Sequence, residues 1–291
     1  MTLQQESIFI PIDSRSKLHL KHFYSEQPGS PVLMLHGSVE NGKIFYSESQ
    51  KGLGPYLATQ GFDVYIADLR GRGLSAPPID RQANYGQTEA ITEDIPAFLE
   101  KIVELRGNEP QHWVAHSWGG VLLASYLARH PEQASKIKTM VCIATKRCIR
   151  AHNWEIFWKI DLFWHLFGPR LTRIFGYLPA KYLGIGSDNE SSLSHQHCSL
   201  WVKPSPWIDP VDQFDYSTAI KKLTLPPTLY MTGSHDHCLG HPHDVGDFMK
   251  ECGLAPQKLQ ILAPYNHIDI LTHPKAKSEH FPKIVQWLQQ K

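Results

Sequence analysis

Short apolar runs alternate along this chain with segments whose apolar residues repeat at helical spacing, and no other feature restricts the fold as strongly. Residues 31–35 form a run without a polar member, and a helical stretch follows near residues 54–60. Such uninterrupted runs are typical of strands buried on both faces, because helices cover the two sides of a parallel sheet. The alternation predicts an α/β fold with a mostly parallel central sheet and helices on both faces. Further strands are predicted at residues 62–67, 112–115, 138–144, 227–232 and 258–262, and further helices at residues 91–105, 119–129, 245–252 and 275–290.

Two segments depart from this alternation. Residues 7–12 and 18–23 alternate polar and apolar side chains around a turn-forming stretch, which predicts an N-terminal β-hairpin. Residues 147–210 show no buried strand, and most of the tryptophans lie there. We therefore expect one α/β core formed by residues 1–146 and 211–291, interrupted by a helical, aromatic-rich insertion at residues 147–210.

The charge balance excludes several classes of function. The 29 lysines and arginines nearly match the 28 acidic residues, and they are scattered along the chain. Nucleic acids and anionic membrane surfaces bind concentrated positive charge, so we expect no nucleic-acid partner. No apolar run approaches the about 18 residues that span a bilayer, so we expect no stable membrane insertion. The pattern leaves the oligomeric state open.

The cysteines and the N-terminal segment bear on the cellular compartment. The five cysteines are odd in number and include no CxxC pair, which argues against a disulfide framework and a thiolate zinc site. The N-terminal stretch carries no lysine or arginine before a short apolar run that ends at Pro11, unlike a secretory signal. We expect a cytoplasmic location.

A serine stands where a predicted strand meets a predicted helix, in the segment WVAHSWGG at residues 113–120. Ala115 and Gly119 lie two positions to either side of Ser117, which makes a one-residue variant of G-x-S-x-G. A strand-to-helix turn this tight strains the serine backbone, exposes the hydroxyl above the sheet and leaves room only for small neighbours. Taken alone, the pattern also fits a serine that caps a buried helix.

Two candidate partners for a serine nucleophile follow later strands. A serine hydroxyl needs a base within hydrogen-bond reach, and the base needs an acid that orients it. Asp236 follows the strand predicted at residues 227–232, and His267 follows the strand predicted at residues 258–262. Because the carboxyl ends of parallel strands share one edge of the sheet, Ser117, Asp236 and His267 are expected to converge there.

These motifs resemble the α/β-hydrolase superfamily, in which the serine, the acid and the histidine follow one another in this order. The resemblance covers nearly the whole chain. His36 and Gly37 resemble the HG oxyanion loop of that family, which implies that the backbone N–H groups of Ser38 and Trp118 bind the oxyanion. The resemblance also implies a serine hydrolase of the esterase and lipase type, with no cofactor and with a helical cap at residues 147–210.

The stretch DLRGRGLS at residues 68–75 is similar to a D-x-R-G-x-G-x-S loop that is common in these enzymes and lies beside their active site. We interpret it as structural. Gly71 and Gly73 allow tight turns, and Asp68 and Arg70 are expected to pair with each other.

Other ionisable residues compete for roles in the expected site. Residues 145–147 occupy the position that holds the acid in some relatives, but they are Thr, Lys and Arg. Asp269 is interpreted as a local loop contact rather than as the acid of the triad. His116 is expected to point away from the Ser117 hydroxyl and to pack or hydrogen-bond instead.

A histidine-rich run after the Asp236 strand has side chains of the kind that bind metal ions. It lies in a loop with Gly240 and Pro242 and lacks the closed tetrahedral spacing of a structural zinc site. We therefore expect solvated loop histidines and no metal site. The run contains His235, His237, Cys238, His241 and His243.

The aromatic side chains of the insertion indicate a substrate class. Most of them are expected to attach the insertion to the core, whereas Trp158 is expected to contact substrate together with Trp118, His36 and Gly37. An apolar lining selects lipophilic groups, because each buried methylene contributes about 0.8 kcal/mol. We predict that the partner is a small or medium lipophilic carboxylic ester, which the chain hydrolyses through an acyl-enzyme on Ser117.

Two alternatives stay open at this point. The same triad would also serve the cleavage of amide or peptide, thioester or carbon–carbon bonds, and a capped cavity would also serve a non-catalytic protein that holds a ligand. Residues 175–179 and 197–201 are similar to uncharacterised bacterial hydrolases, and that similarity names no substrate.

Overall fold

The centre of the molecule is an eight-stranded sheet, seen in a computed structural model that describes residues 3–290. The ten strands are β1 Gln4–Pro11, β2 Lys17–Tyr24, β3 Pro31–Leu35, β4 Asp63–Asp68, β5 Gln111–His116, β6 Ile137–Ile143, β7 Tyr177–Leu178, β8 Glu190–Ser191, β9 Thr228–Gly233 and β10 Gln260–Leu262. The order across the large sheet is β1-β2-β4-β3-β5-β6-β9-β10. The strands from β4 to β10 in that order run parallel, and β1 and β2 form the predicted antiparallel hairpin.

Helices connect these strands and cover the sheet. The α-helices are α1 Leu53–Thr59, α2 Gln87–Glu89, α3 Ile95–Arg106, α4 Trp118–Arg129, α5 Trp154–Ile156, α6 Gly168–Phe175, α7 Ser192–Trp201, α8 Tyr216–Lys222, α9 Pro242–Glu251, α10 Asp269–Thr272, α11 Ala276–Glu279 and α12 Phe281–Leu288. Two π-helical segments, Ala90–Asp94 and Phe157–Phe167, continue α2 and α5, and short 3₁₀ turns lie at Gly42–Ile44, Pro131–Lys136 and Pro256–Lys258. No helix within residues 3–290 has both the length and the apolar character needed to cross a bilayer.

Each face of the sheet carries its own apolar core. On β3, Leu33 and Leu35 face one core, and Val32 and Met34 face the other. The first core is completed mainly by α3, α4 and α9, and the second by α1 and α12. Side chains alternate between the two faces of a strand, so a strand buried on both sides must be apolar throughout. This confirms the predicted α/β fold with a mostly parallel sheet.

The structure differs from two of the predicted elements. A small antiparallel pair, β7 and β8, lies inside the insertion, where no buried strand was expected. The sequence does not indicate it, because a two-residue strand is too short to produce a periodic signal. The single helix predicted at residues 275–290 is divided into α11 and α12. Pro282 lies in the first turn of α12, where a proline is tolerated, whereas inside a continuous helix it would remove a hydrogen bond and clash with the preceding turn.

Candidate active site

Ser117 lies in the sharp turn between β5 and α4 with a φ of 52° and a ψ of −125°, a conformation that residues other than glycine rarely adopt. Its N–H donates to the Ile143 carbonyl over 2.8 Å, which ties the turn to β6. A Cβ at Gly119 would lie 2.5 Å from the carbonyl oxygens of Leu35 and His36, so only glycine fits there. The Ser117 side chain caps no N–H group of α4, so the interpretation as a simple helix cap does not hold.

The Ser117 hydroxyl begins a relay of two hydrogen bonds. Its Oγ is 3.0 Å from Nε2 of His267, and Nδ1 of His267 is 2.5 Å from Oδ2 of Asp236. Asp236 follows β9 and His267 follows β10, and these neighbouring parallel strands carry both residues to one edge of the sheet. Burial would raise the pKa of Asp236, but the charge of His267 and its hydrogen bond lower that pKa below the usual value. Asp236 therefore stays ionised and accepts the Nδ1–H of His267.

Two backbone N–H groups lie on either side of the serine, in the loop after β3 and at the start of α4. Neither the N–H of Ser38 nor that of Trp118 donates to an acceptor among the described residues. The first N–H groups of a helix have no partner within the helix and favour negative charge. A Cβ at Gly37 would lie 2.8 Å from Cβ of Ser117, so glycine allows the loop to approach the serine closely. The arrangement is chemically suited to holding an oxyanion.

A buried ion pair, which the sequence did not indicate, holds this loop from the side of the insertion. Glu190, on β8, is fully buried and accepts from the Ser38 hydroxyl over 2.7 Å and from the Val39 N–H over 3.1 Å. Its other carboxylate oxygen accepts from the guanidinium of Arg72. Burial would raise the pKa of Glu190, but the charge of Arg72 lowers it below its usual value. No local pattern marks Glu190, because its partners lie more than a hundred residues away.

A second buried pair supports the His267 loop. Nδ1 of His116 lies 2.8 Å from Oε2 of Glu40, and Nε2 of His116 lies 3.0 Å from the carbonyl oxygen of His267. Both partners are acceptors, so both ring nitrogens must carry a proton, and His116 is an imidazolium. Burial would lower the pKa of His116, but the charge of Glu40 raises it. Burial likewise opposes ionisation of Glu40, yet the charge of His116 lowers the pKa of Glu40 to about 2.

The predicted orientation of His116 away from Ser117 agrees with this geometry. Glu40 was not predicted, and the signal available for it was an acidic residue only three positions after Gly37 in the proposed oxyanion loop. Its carboxylate also accepts from the Gly37 N–H over 2.9 Å, so Glu40 shapes the loop that contains Ser38.

The structure contradicts the expectation that His36 and Trp158 contact substrate. His36 is fully buried; its Nδ1 donates to the Gly37 carbonyl and its Nε2 accepts the Leu69 N–H, so its side chain supports the loop from below. Trp158 is 48% exposed and packs with Trp154 and Phe157 on the outer surface. Ile160 and Trp164, two and six positions further along the same π-helical segment, line the cavity beside the serine, so this face points inward while Trp158 points outward.

The loop at residues 68–75 also differs from expectation, because Asp68 and Arg70 do not pair. Asp68 lies opposite His19 in the β2–β4 register and accepts from Nδ1 of His19 over 2.8 Å. Arg70 instead binds Asp94, with Nε 3.1 Å from the carboxylate. The register places Asp68 opposite His19 of β2. Arg70 lies in the turn after β4, where it contacts Asp94 instead. The tight turns at Gly71 and Gly73, with φ of 71° and 53°, are confirmed.

The histidine-rich run is not assembled into a cluster of ligands. His235, His237 and His243 are exposed, and Cys238 is buried against Ile156 and Ile160. Across residues 3–290 the one group of ligand atoms close enough for a metal ion is formed by Glu40, His116 and His267. His116 carries protons on both ring nitrogens and pairs with Glu40, so it has no free lone pair with which to bind a metal ion. The residues in this region give no reason to assign a metal.

A cavity of about 480 Å³ opens beside the serine. Ser117 and His267 form part of its wall, and most of the remaining surface is apolar. The insertion contributes Ile160, Trp164, Cys198, Val202 and the segment at residues 184–187. Trp118 also lines the cavity, as expected, and its Nε1–H donates to Gln87 over 2.9 Å. A volume of this size suits a small or medium ligand.

Comparisons with known proteins agree with this architecture. Probable lysophospholipase L2 from Haemophilus influenzae is 27% identical over 129 residues, which cover 43% of this chain and 40% of that protein. Gastric triacylglycerol lipase from Mus musculus is 22% identical, and the match covers 88% of this chain and 79% of that protein. The chain thus spans less than half of the length of the first relative.

A solved structure shares the whole fold. A soluble variant of monoglyceride lipase from Saccharomyces cerevisiae aligns with a TM-score of 0.70 at 18% identity, covering 99% of this chain and 96% of that chain. Residues 30–274 match the family model described as alpha/beta hydrolase fold. With the sheet order and the strand-to-helix turn described above, this match shows that the chain belongs to the alpha/beta hydrolase family.

Proposed function

We propose that this protein is a serine hydrolase that cleaves carboxylic esters of small or medium lipophilic substrates. The observation that carries the proposal is the relay from Ser117 through His267 to Asp236, at the edge of a largely apolar cavity. The names of its relatives, a lysophospholipase and a triacylglycerol lipase, support hydrolysis of an ester bond. The chemistry needs no cofactor.

In the proposed reaction, Nε2 of His267 accepts the hydroxyl proton as Oγ of Ser117 attacks the ester carbonyl carbon. The N–H groups of Ser38 and Trp118 stabilise the negative charge on the carbonyl oxygen, and Asp236 stabilises the imidazolium. The carbon–oxygen bond to the alcohol then breaks as His267 returns the proton to the leaving oxygen. Water, deprotonated by His267, attacks the acyl-enzyme, and the acid leaves with Ser117 restored.

We also propose that residues 147–210 act as a cap. Their side chains form one wall of the cavity, and Glu190 links them to the loop that contains Ser38. The apolar wall offers burial to an acyl chain, at about 0.8 kcal/mol for each methylene removed from water. The five cysteines are free and buried, which supports the proposal of a reducing, cytoplasmic setting.

The proposal predicts how turnover depends on the acyl chain. In a p-nitrophenyl ester series, kcat/KM should rise with chain length until the cavity is filled and then fall, because additional methylenes find no surface to cover. Ser117→Ala should lower kcat/KM by more than about 10⁴-fold. Equal rates for short and long esters would contradict the apolar acyl site, and unchanged turnover by Ser117→Ala would contradict the mechanism.

The bond that is cleaved is tested with matched substrates. Steady-state rates on an ester, a thioester and an anilide with one acyl group should favour the ester. A preference for the thioester or the anilide would show that the same triad cleaves that bond instead of an ester. The absence of turnover on every activated ester, with ligand binding in the cavity retained, would instead identify a binding protein.

A further inference from the structure

One cationic side chain in the cavity wall has no partner in the part of the chain that the structure describes. Lys146 follows β6, at the carboxyl edge of the sheet that also holds Ser117, and it is only 6% exposed. It lines the same cavity as Ser117 and His267. Burying an ammonium group costs free energy unless a carboxylate or several acceptors replace its water.

The other cations of the cavity wall are neutralised. Lys43 pairs with Glu48 over 2.7 Å, and Arg147 pairs with Glu251 over 2.6 Å. Nζ of Lys146, in contrast, has no hydrogen bond and no ion pair within 4.0 Å among residues 3–290. Burial lowers the pKa of Lys146, and the charge of Asp244 opposes that change.

Each carboxylate near Lys146 accepts at least one hydrogen bond from another group. Asp236 is bound to His267, and Glu40, the one acidic residue in the cavity wall, is bound to His116. Asp244 is buried outside the wall, where Oδ1 accepts the backbone N–H groups of residues 150 and 151. Among residues 3–290, its Oδ2 has no hydrogen-bond partner, and it forms no ion pair with the Lys146 ammonium within 4.0 Å.

The cavity therefore presents one positive charge that has no direct partner within the described part of the chain, on a largely apolar wall that also contains Ser117. We propose that Lys146 binds an anionic oxyacid group, a carboxylate or a phosphate monoanion, attached to the lipophilic ester. An anion that enters the cavity would meet no free carboxylate on the cavity wall. Its hydrogen bond to the Lys146 ammonium would replace the water that this group loses on burial. This inference rests on the proposed function and names the substrate class of the same site.

The test compares p-nitrophenyl esters that differ only in one terminal group. The hydrogen suberate ester ends in a carboxylate, the 8-methylnonanoate ester is its neutral isostere, and a third ester ends in a methyl phosphonate monoanion. A parallel set of aliphatic esters carries the same terminal groups on the alcohol chain, and its hydrolysis is followed by titration of the released acid. The quantity measured is the ratio of kcat/KM for the anionic ester to that for the neutral ester.

Wild-type protein should prefer an anionic ester in at least one of the two sets, and Lys146→Met should lower the ratio by about 10- to 100-fold, the strength of a charge-assisted hydrogen bond. Lys146→Arg should retain most of the preference. Lys159→Met, which removes an exposed lysine outside the cavity wall, serves as the matched control and should leave the ratio unchanged. The carboxylate and phosphonate arms identify the preferred anion.

A second variant separates ligand binding from charge balance. If Lys146 only balances Asp244 at a distance, Lys146→Met should change the rates on anionic and neutral esters equally, and that result would overturn the inference. Asp244→Asn should keep or increase the anion preference, because it removes a competing negative charge. If Ser117→Ala loses all turnover but Lys146→Met keeps the wild-type ratio of anionic to neutral kcat/KM, the inference about Lys146 is refuted and the proposed function stands. If Ser117→Ala keeps its turnover, the proposed function itself is refuted.

Discussion

At the residue scale, two buried acid–base pairs surround the serine, and only one of them touches it. Asp236 and His267 form the relay, whereas Glu40 and His116 hold the backbone on which the relay depends. The Nε2–H of His116 donates to the backbone carbonyl of His267. A neighbouring imidazolium therefore holds the proposed base in position. We regard His116 as a positioning residue.

Removing His116 should affect both stability and rate. His116→Ala leaves Glu40 buried without its cationic partner, so the free energy of unfolding should fall by about 3–5 kcal/mol. The loop of His267 loses its anchor, so kcat should fall more than KM changes. Urea denaturation and steady-state kinetics measure the two effects. His130→Ala, at a half-exposed site away from the cavity, is the control. A stable variant with wild-type kcat would contradict the positioning role.

The same pair makes stability depend on pH in a defined window. The pKa of Glu40 falls from 4.5 to about 2 on folding, so its stabilisation is complete above about pH 4.5 and is lost as the pH falls toward 2. The pKa of His116 is raised above 6.5, so its stabilisation is complete below pH 6.5 and is lost as the pH rises through the folded pKa. The pair is strongest between about pH 4.5 and 6.5.

This window is measured by comparing the wild type with a variant that carries both Glu40→Gln and His116→Gln. The difference in the free energy of unfolding between the two proteins, from urea denaturation at several pH values, should be largest inside the window and smaller on either side. A constant difference from pH 4 to pH 9 would show that the pair is not ionised as described.

At the scale of elements, the two-residue strand β8 contacts the loop after β3, although Glu190 and Ser38 are 152 residues apart in the chain. Glu190 accepts from both Ser38 and Val39, and Arg72 neutralises it. The insertion is therefore attached to the loop proposed to hold the oxyanion, not only to the cavity. Movement of the insertion would displace that loop.

Glu190→Gln tests this connection. The amide keeps the size of the side chain but weakens its hold on Arg72 and on the loop, so kcat should fall by about 10- to 100-fold with little change in KM, and affinity for a boronic acid analogue of the tetrahedral state should fall in parallel. Glu155→Gln, at an exposed ion pair of the insertion, should behave like the wild type. A rise in KM at constant kcat would instead assign Glu190 to ground-state binding of substrate.

The elements could be predicted where periodicity is strong. The buried strands, the hairpin and the helices of the core follow from apolar spacing, and the positions of Ser117, Asp236 and His267 follow from the strand ends. Glu40, Glu190 and the unpaired state of Lys146 could not be predicted. Each depends on which side chains meet across long stretches of chain, and no local pattern encodes such contacts. Trp158 was misassigned for the same reason, because an apolar helix in the insertion does not reveal which face lies inward.

At the scale of the whole molecule, the parallel sheet concentrates chemistry on one edge. The strand ends bring a serine, a histidine and an aspartate together, while the insertion supplies apolar surface on the opposite side of the cavity. The two apolar cores lie on the faces of the sheet, so the edge is free to carry buried charges that would destabilise the cores.

The central claim is that this edge activates the Ser117 hydroxyl. The most direct measurement is the mass of the intact protein and of its peptides after treatment with a fluorophosphonate. The account predicts one adduct on Ser117, no adduct in Ser117→Ala and a much slower reaction in His267→Ala. An unlabelled wild-type protein, or an adduct that persists in Ser117→Ala, would contradict it.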